Sequence, residues 1–278
     1  MNPDIIHASV IIDDPLLREN YGFLNYRKLL GLMDKHNFFT TIAFIPWNYN
    51  RTDKKIADLF RERPDRFSLC VHGCDHTRGE FAKIDFNYLD NKVKLATTRM
   101  IEHEKRTGIP FGKIMVFPQG IFSNEALEAL KRNNYLAAVN TEAMPVNGHI
   151  SSDFPLFLRN KPEEILIDCV SDPTFIVLHH DYFKNGYKRL TDFVDELNAR
   201  LKNVKWDSVG NIVRYFVPAN EVNYNLADVD LCGSKFHGHK ENVKIWLRRH
   251  ASEFRDNHLC KNDFILNLAK RVKNLMKM

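Results

Sequence analysis

Two histidines four residues apart, His72 and His76, follow the apolar run Leu69-Cys70-Val71 in the stretch His72-Gly73-Cys74-Asp75-His76. An earlier apolar run ends in an acidic pair, Asp13-Asp14. Neutral imidazoles suit Zn, Fe, Co or Ni, while a carboxylate supplies a harder third ligand and leaves positions open for water and substrate. Three protein ligands with open coordination would make a catalytic centre. The histidine spacing alone is ambiguous, because the same interval on a helix sets two imidazoles side by side on a solvated face. Cys74, within the same stretch, reads as a small buried thiol rather than a ligand or nucleophile.

The elements that must position these residues follow from hydrophobic patterning. Apolar runs at residues 5–12, 39–45, 67–71, 113–117, 135–139, 164–169 and 174–178 read as buried strands. Helix-period segments lie between several of them: 24–36 with Leu29, Leu30, Leu32 and Met33, 86–106 with Leu89, Val93, Leu95, Met100 and Ile101, and 124–132 with Ala126, Leu127 and Leu130. Strand and helix in alternation imply a parallel sheet, open or closed into a barrel. In either form the chemistry belongs at the C-terminal ends of the strands. Asp13-Asp14 end the first run, His72 and His76 follow the third, Pro118-Gln119-Gly120 follow the fourth, and His179-His180-Asp181 follow the seventh. All the chemistry-bearing residues therefore fall on one face.

A chain of 278 residues, 44% hydrophobic and 27% charged, fits one large enzyme domain or a domain with an appendage, and excludes disorder throughout. Its five cysteines, Cys70, Cys74, Cys169, Cys232 and Cys260, form no regular framework, which implies a reduced compartment. The start of the chain lacks a basic segment followed by a long apolar one, and no run reaches membrane-spanning length, so a soluble cytoplasmic protein without a transmembrane segment is expected. Of the net charge of +5, residues 218–278 carry most, with 11 Lys/Arg against 7 Asp/Glu. The cations are interspersed with acids, which describes a solvated face rather than a nucleic-acid surface.

The order Ile12-Asp13-Asp14, His72-Gly73-Cys74-Asp75-His76, Phe117-Pro118-Gln119-Gly120 and Ile176-Val177-Leu178-His179-His180-Asp181 resembles the polysaccharide deacetylases with the NodB-homology domain, the fourth carbohydrate esterase family and its relatives. The resemblance covers roughly residues 5–216, and Trp206 to Val213 looks like the closing segment of uncharacterised relatives. It implies a distorted (β/α)7 TIM-like barrel over residues 1–217, with residues 218–278 as a basic helical extension. It further implies Asp13 as general base, Asp14, His72 and His76 as ligands of one divalent metal, His180 as general acid with His179 a mere neighbour, and Pro118 and Gly120 in the substrate groove. Zinc is the first expectation for the metal, with Co, Ni, Fe or Mn as alternatives. The implied reaction is metal-dependent hydrolysis of an N-acetyl or related acyl group on a carbohydrate.

Two departures stand out. Pro15 replaces the family's usual Gly after the aspartates, fixing the backbone there. The family's fourth-strand motif usually begins with an Arg that orients the catalytic aspartate, and Val116-Phe117-Pro118 has none. Either another cation replaces it or Asp13 behaves differently.

Trp47, Tyr49 and Phe122 lie just past strand ends and could stack on sugar faces or pack in the core. His237-Gly238-His239 with Asp228, Asp230 and Cys232 could form a second metal cluster, although histidines in a Gly-containing loop are more often solvated. Helical patterns at 242–254 (Val243, Trp246, Leu247) and 262–276 (Phe264, Leu268, Val272) suggest an appendage packed on the barrel or on another subunit. Besides the hydrolase, a carbohydrate-binding barrel without activity and an interaction protein acting through its basic tail remain as readings, since fold does not fix function.

Overall fold

The computed structural model describes residues 5–166, 170–201, 203–217, 239–259 and 261. Seven parallel strands, β1 (Ile6–Asp13), β4 (Thr40–Phe44), β5 (Phe67–His72), β6 (Phe111–Val116), β7 (Ala137–Asn140), β8 (Leu156–Asn160) and β9 (Thr174–His179), pair in that order, and β9 returns to β1. The sheet is therefore a closed barrel, which removes edge strands altogether. A short hairpin, β2 (Asn20–Tyr21) and β3 (Leu24–Asn25), follows β1, and β10 (Val204–Trp206) pairs with the first residues of β1 beside β4.

Helices α1 (Tyr26–His36), α2 (Lys54–Glu62), α3 (Phe86–Thr107), α4 (Asn124–Arg132) and α5 (Lys188–Arg200) connect the strands. Side chains of Asn25, Asp85 and Ser123 accept the first free backbone N–H groups of α1, α3 and α4. Left-handed Asn37 and Gly108 end α1 and α3.

Alternation along each strand sorts the residues into two cores. Val10 and Ile12, Ile42 and Phe44, Leu69 and Val71, and Ile176 and Leu178 face outward into the packing with the helices. Ile11, Ala43, Cys70, Ile114, Val116, Ala137, Val139 and Phe175 fill the barrel interior, joined by Val209, Ile212 and Val213 of α6 (Val209–Phe216). Towards the N-terminal end, inward Ser9, Thr41 and Ser68 hydrogen-bond in series at 3.2 and 2.9 Å, and the N–H of Val209 donates to Thr41 at 3.1 Å. Helix α6 thus closes the bottom, and the interior can open only at the C-terminal strand ends.

The expected strand at 164–169 is corrected over 164–166, and 167–169 lie outside the described residues. Pro162–Glu164 is a short helical turn, and the sixth barrel strand is Leu156–Asn160. That strand escaped hydrophobic patterning because its most buried position is Arg159, while Leu158 faces solvent.

Helix α7 (His239–Phe254) and the single wide turn Arg255–Leu259 pack on the C-terminal face of the barrel. Glu253 pairs with both Arg18 and Arg51, Tyr21 donates its hydroxyl to Asp256 at 2.7 Å, and the N–H of Gly22 donates to Asn257 at 2.9 Å. The helical pattern at 262–276, the side chains of the proposed His237/His239 cluster, and Cys169, Cys232 and Cys260 lie outside the described residues. No described helix is long and apolar enough to cross a membrane.

One buried group sets an acid limit on the fold. His103 of α3 is fully buried against Phe44 and contacts the Thr52 hydroxyl at 2.8 Å, and burial pushes its imidazole down to about 4. Because the folded value lies below the unfolded one of 6.5, the stability held by neutral His103 is complete above pH 6.5 and lost as pH falls towards 4. At about 1.4 kcal/mol per pH unit, the loss approaches roughly 3 kcal/mol. Urea unfolding from pH 7 to 4.5 should show a smaller loss in His103→Gln than in the parent chain, and equal slopes would refute the assignment.

Candidate active site

The inward-facing residues end, at the open mouth, in polar groups. Asp13 continues Ser9 and Ile11 on β1, His72 continues Ser68 and Cys70 on β5, and His179 continues Phe175 and Val177 on β9. Arg159 enters from β8. Together with Asp14 and His76 they line a cleft of about 380 Å³ whose remaining walls include Gln119, Gly120, Thr141, Glu142, Lys161 and Glu164.

Asp13 and Arg159 are both buried and meet in a two-pronged ion pair, with Nη1 donating to Oδ1 at 2.6 Å and Nη2 to Oδ2 at 2.7 Å. Burial alone would push the Asp13 carboxyl up. The Arg159 guanidinium overcomes this, with smaller help from His72 and His179, and holds Asp13 below its ordinary value. Arg159 is the cation that the fourth-strand segment lacks. It was not singled out from sequence, and an Arg closing the apolar run Leu156-Phe157-Leu158 was the signal available.

Asp14 does not continue the alternation of β1. Its backbone turns left-handed, φ 77°, so its carboxylate reaches the cleft beside that of Asp13. Oδ1 of Asp14 lies 3.0 Å from Nε2 of His76 and 3.3 Å from Nε2 of His72. The tautomer of His72 follows from its other nitrogen, because Nδ1 faces the carbonyl of Val116 at 2.9 Å and a carbonyl can only accept. In its neutral form His72 therefore turns the Nε2 lone pair towards the Asp14 carboxylate, whose buried Oδ1 accepts no well-formed hydrogen bond. Two lone pairs facing each other repel unless a cation lies between them.

The donor set fits a metal ion. Ligand atoms about 2.0–2.2 Å from a tetrahedral ion sit about 3.3 Å apart, close to the separations at Asp14. Among the described residues, Asp14, His72 and His76 are the group of His, Cys, Asp and Glu side chains whose donor atoms converge, all within 4.8 Å of one another. Burial pushes the Asp14 carboxyl up and the two imidazoles, His76 foremost, hold it well below the usual carboxylate range. A bound cation would act in the same direction.

The last strand corrects one expectation. His179 lines the cleft, half-exposed, with Nε2 3.7 Å from Oδ2 of Asp13. His180 faces the other way, into a pocket formed by Tyr21 and Phe23, with Nε2 3.4 Å from Asp256. The reason is parity: Asp13 pairs in register with His179, so the inward face of β1 meets the odd-numbered residues of β9.

The substrate-groove candidates divide. Gly120 lines the cleft at φ 72°, where a Cβ would fall 2.6 Å from the Thr141 hydroxyl, so glycine is required. Pro118 is buried against Gly73 and does not line the cleft. Trp47 also lies outside it, its ring covered by the Arg99 guanidinium at 5.1 Å. Phe122 is core, stacked on Phe117 at 5.0 Å.

No family model matches the sequence, and no curated protein does. Solved structures match in fold. A chain from Mycobacterium smegmatis, provisionally named a polysaccharide deacetylase, is 12% identical with a TM-score of 0.53, over 78% of this chain and 92% of that one. A family 4 acetyl xylan esterase from Clostridium thermocellum, solved with a cobalt ion, is 15% identical with a TM-score of 0.50, over 76% and 93% of the two chains. At these identities the likeness establishes the barrel architecture.

The Asp13–Arg159 pair makes a direct stability test. Arg159→Met leaves a buried carboxylate without its counter-charge and should cost about 3–5 kcal/mol in urea unfolding. Adding Asp13→Asn should recover part of that loss. A near-neutral Arg159→Met would show that the pair carries little of the mouth's stability.

Proposed function

We propose that the chain is a metal-dependent hydrolase that removes an N-acetyl or related acyl group from a carbohydrate. The observation that carries this reading is the convergence, in one open cleft, of the Asp14, His72 and His76 donor set with an ionised Asp13 and an imidazole 3.7 Å from it. An acetyl xylan esterase of like fold was solved with a cobalt ion, which is consistent with a metal-dependent reading.

Asp14, His72 and His76 would hold one divalent ion, which supplies Lewis-acid polarisation of the acyl carbonyl and a more acidic water. Asp13, kept ionised by Arg159, accepts the proton of the attacking water. Arg159 occupies one lone pair on each Asp13 oxygen, which leaves further lone pairs free for that proton and fixes the carboxylate plane. His179, exposed at the rim, holds a proton for the departing amine, the general-acid role that an imidazole can fill. The polar walls, Gln119, Thr141, Asn160, Lys161 and Glu164 among them, suit a polyhydroxylated ring.

Metal analysis of chain purified without added metal, then turnover on N-acetylated amino-sugar oligomers before and after chelation, tests the reading. About one equivalent of metal is expected, with activity lost on chelation and restored by Zn, Co, Ni, Fe or Mn. Sugar binding without turnover by the metal-loaded chain would point to a binding barrel instead, and absence of metal binding would sink the proposal.

The acid role has its own test. His179→Ala should lower turnover on an acetylated amino-sugar by roughly 10²–10⁴-fold. It should do much less on an activated ester, whose leaving group needs little protonation. His180→Ala should chiefly loosen packing and stability. Equal defects of His179→Ala on both substrates would remove His179 from the role.

A further inference from the structure

The loop that carries His76 has no regular secondary structure, yet it is fixed from within. The side chain of Glu80 is buried beneath it, and its two carboxylate oxygens take the backbone N–H groups of four consecutive residues. Oε1 accepts from Cys74 at 2.9 Å and from His76 at 3.1 Å, while Oε2 accepts from Asp75 at 3.1 Å and Thr77 at 3.4 Å, with the Thr77 hydroxyl at 3.3 Å. Successive N–H groups converging on one anion form a nest, a concavity that a carboxylate stabilises. The backbone on either side is left-handed, Gly73 at φ 63° and His76 at φ 55°, and a Cβ on Gly73 would lie 2.3 Å from Oε1 of Glu80. The conformation that aims His76 at Asp14 is thus one that His76 would not choose locally.

We propose that Glu80 is the positioning residue of the metal centre: an internal carboxylate that holds the Gly73–Thr77 backbone in the one shape that turns His76 Nε2 towards Asp14 and His72. The assignment rests on the metal-binding reading above. Glu80 touches neither metal donor atoms nor cleft. It acts through the N–H of His76, and the outward anchoring of the same loop by Asp75 to Lys92 and Arg99 leaves the Glu80 contacts as the ones made to the ligand residue itself.

Glu80→Gln is nearly isosteric but replaces one acceptor oxygen by an NH2 group facing N–H donors. In cobalt titrations it should weaken metal affinity about 10–100-fold, the usual effect of losing an outer partner of a ligand. It should also change the visible cobalt spectrum while far-UV circular dichroism stays as in the parent chain. Parent-like affinity and spectrum in Glu80→Gln would overturn the assignment. If the variant fails to fold, amide exchange in the parent decides: the N–H groups of Cys74 to Thr77 should exchange as slowly as strand amides, and loop-like exchange would overturn it. A parent chain that takes up no cobalt would refute the metal reading, and the exchange measurement would still judge the Glu80 cradle.

Discussion

A carboxylate and a guanidinium buried face to face, Asp13 and Arg159, link the first barrel strand to the sixth across 146 residues of sequence. Each charge alone in that position would cost several kcal/mol of lost hydration, and the attraction offsets this only when the geometry is good. Two parallel N–H···O bonds of 2.6 and 2.7 Å provide that geometry. The pair therefore requires β8 to lie within reach of β1, with only β9 between them, which requires the barrel to close. Closure in turn brings β9 beside β1 and delivers His179 to the same carboxylate.

The barrel interior makes this arrangement economical in sequence. Positions that face inward low in the barrel must be small or apolar to fill it, as Ala43, Cys70, Ile114 and Ala137 do. Two residues beyond Ile11, Cys70 and Val177 the same face emerges into the cleft, where polar groups can reach water and substrate. Asp13, His72 and His179 need no special backbone to arrive there. Asp14 and His76 do, and both have positive φ, at 77° and 55°. Strain of about 1–3 kcal/mol per residue persists only where surrounding contacts over-determine the conformation. For His76 the Glu80 carboxylate does so, and for Asp14 the rigid end of β1 and the N–H contact to Ala43 do.

What could be read from the sequence and what could not divides along the same line. Asp13, Asp14, His72 and His76 were legible because each follows an apolar run, and strand ends on one face imply a shared site. Arg159 was not, since a charge at the end of the short run Leu156-Phe157-Leu158 reads as the solvated close of that run, and only the barrel register turns it inward. The choice between His179 and His180 depends on the parity of β9 relative to β1, which is a property of register and hence of long-range pairing, not of local sequence. The cradle under His76 is still further from patterning, because Glu80 acts on backbone N–H groups, which leave no mark on residue type. The helix-period segments at 24–36, 86–106 and 124–132 were readable to within two residues, while α2 and α5 were not anticipated.

The placement of His180 explains how the C-terminal helix relates to the barrel. His180 follows the last residue of β9 and points outward, where a buried imidazole needs a polar partner. Asp256, from beyond α7, provides one at 3.4 Å and also receives the Tyr21 hydroxyl. Burial pushes the Asp256 carboxyl up, but His180, Arg255 and Tyr21 hold it below its ordinary value, so it serves as an anion between these groups. Glu253, one turn earlier, bridges Arg18 from the segment after β1 and Arg51 from the segment after β4. Residues 239–259 therefore supply the charges that complete the polar interior around three strand-end segments of the barrel. Removing them would leave Arg18, Arg51, Tyr21 and His180 without these partners, so this part of the extension belongs to the architecture of the C-terminal face and is more than an appendage resting against it.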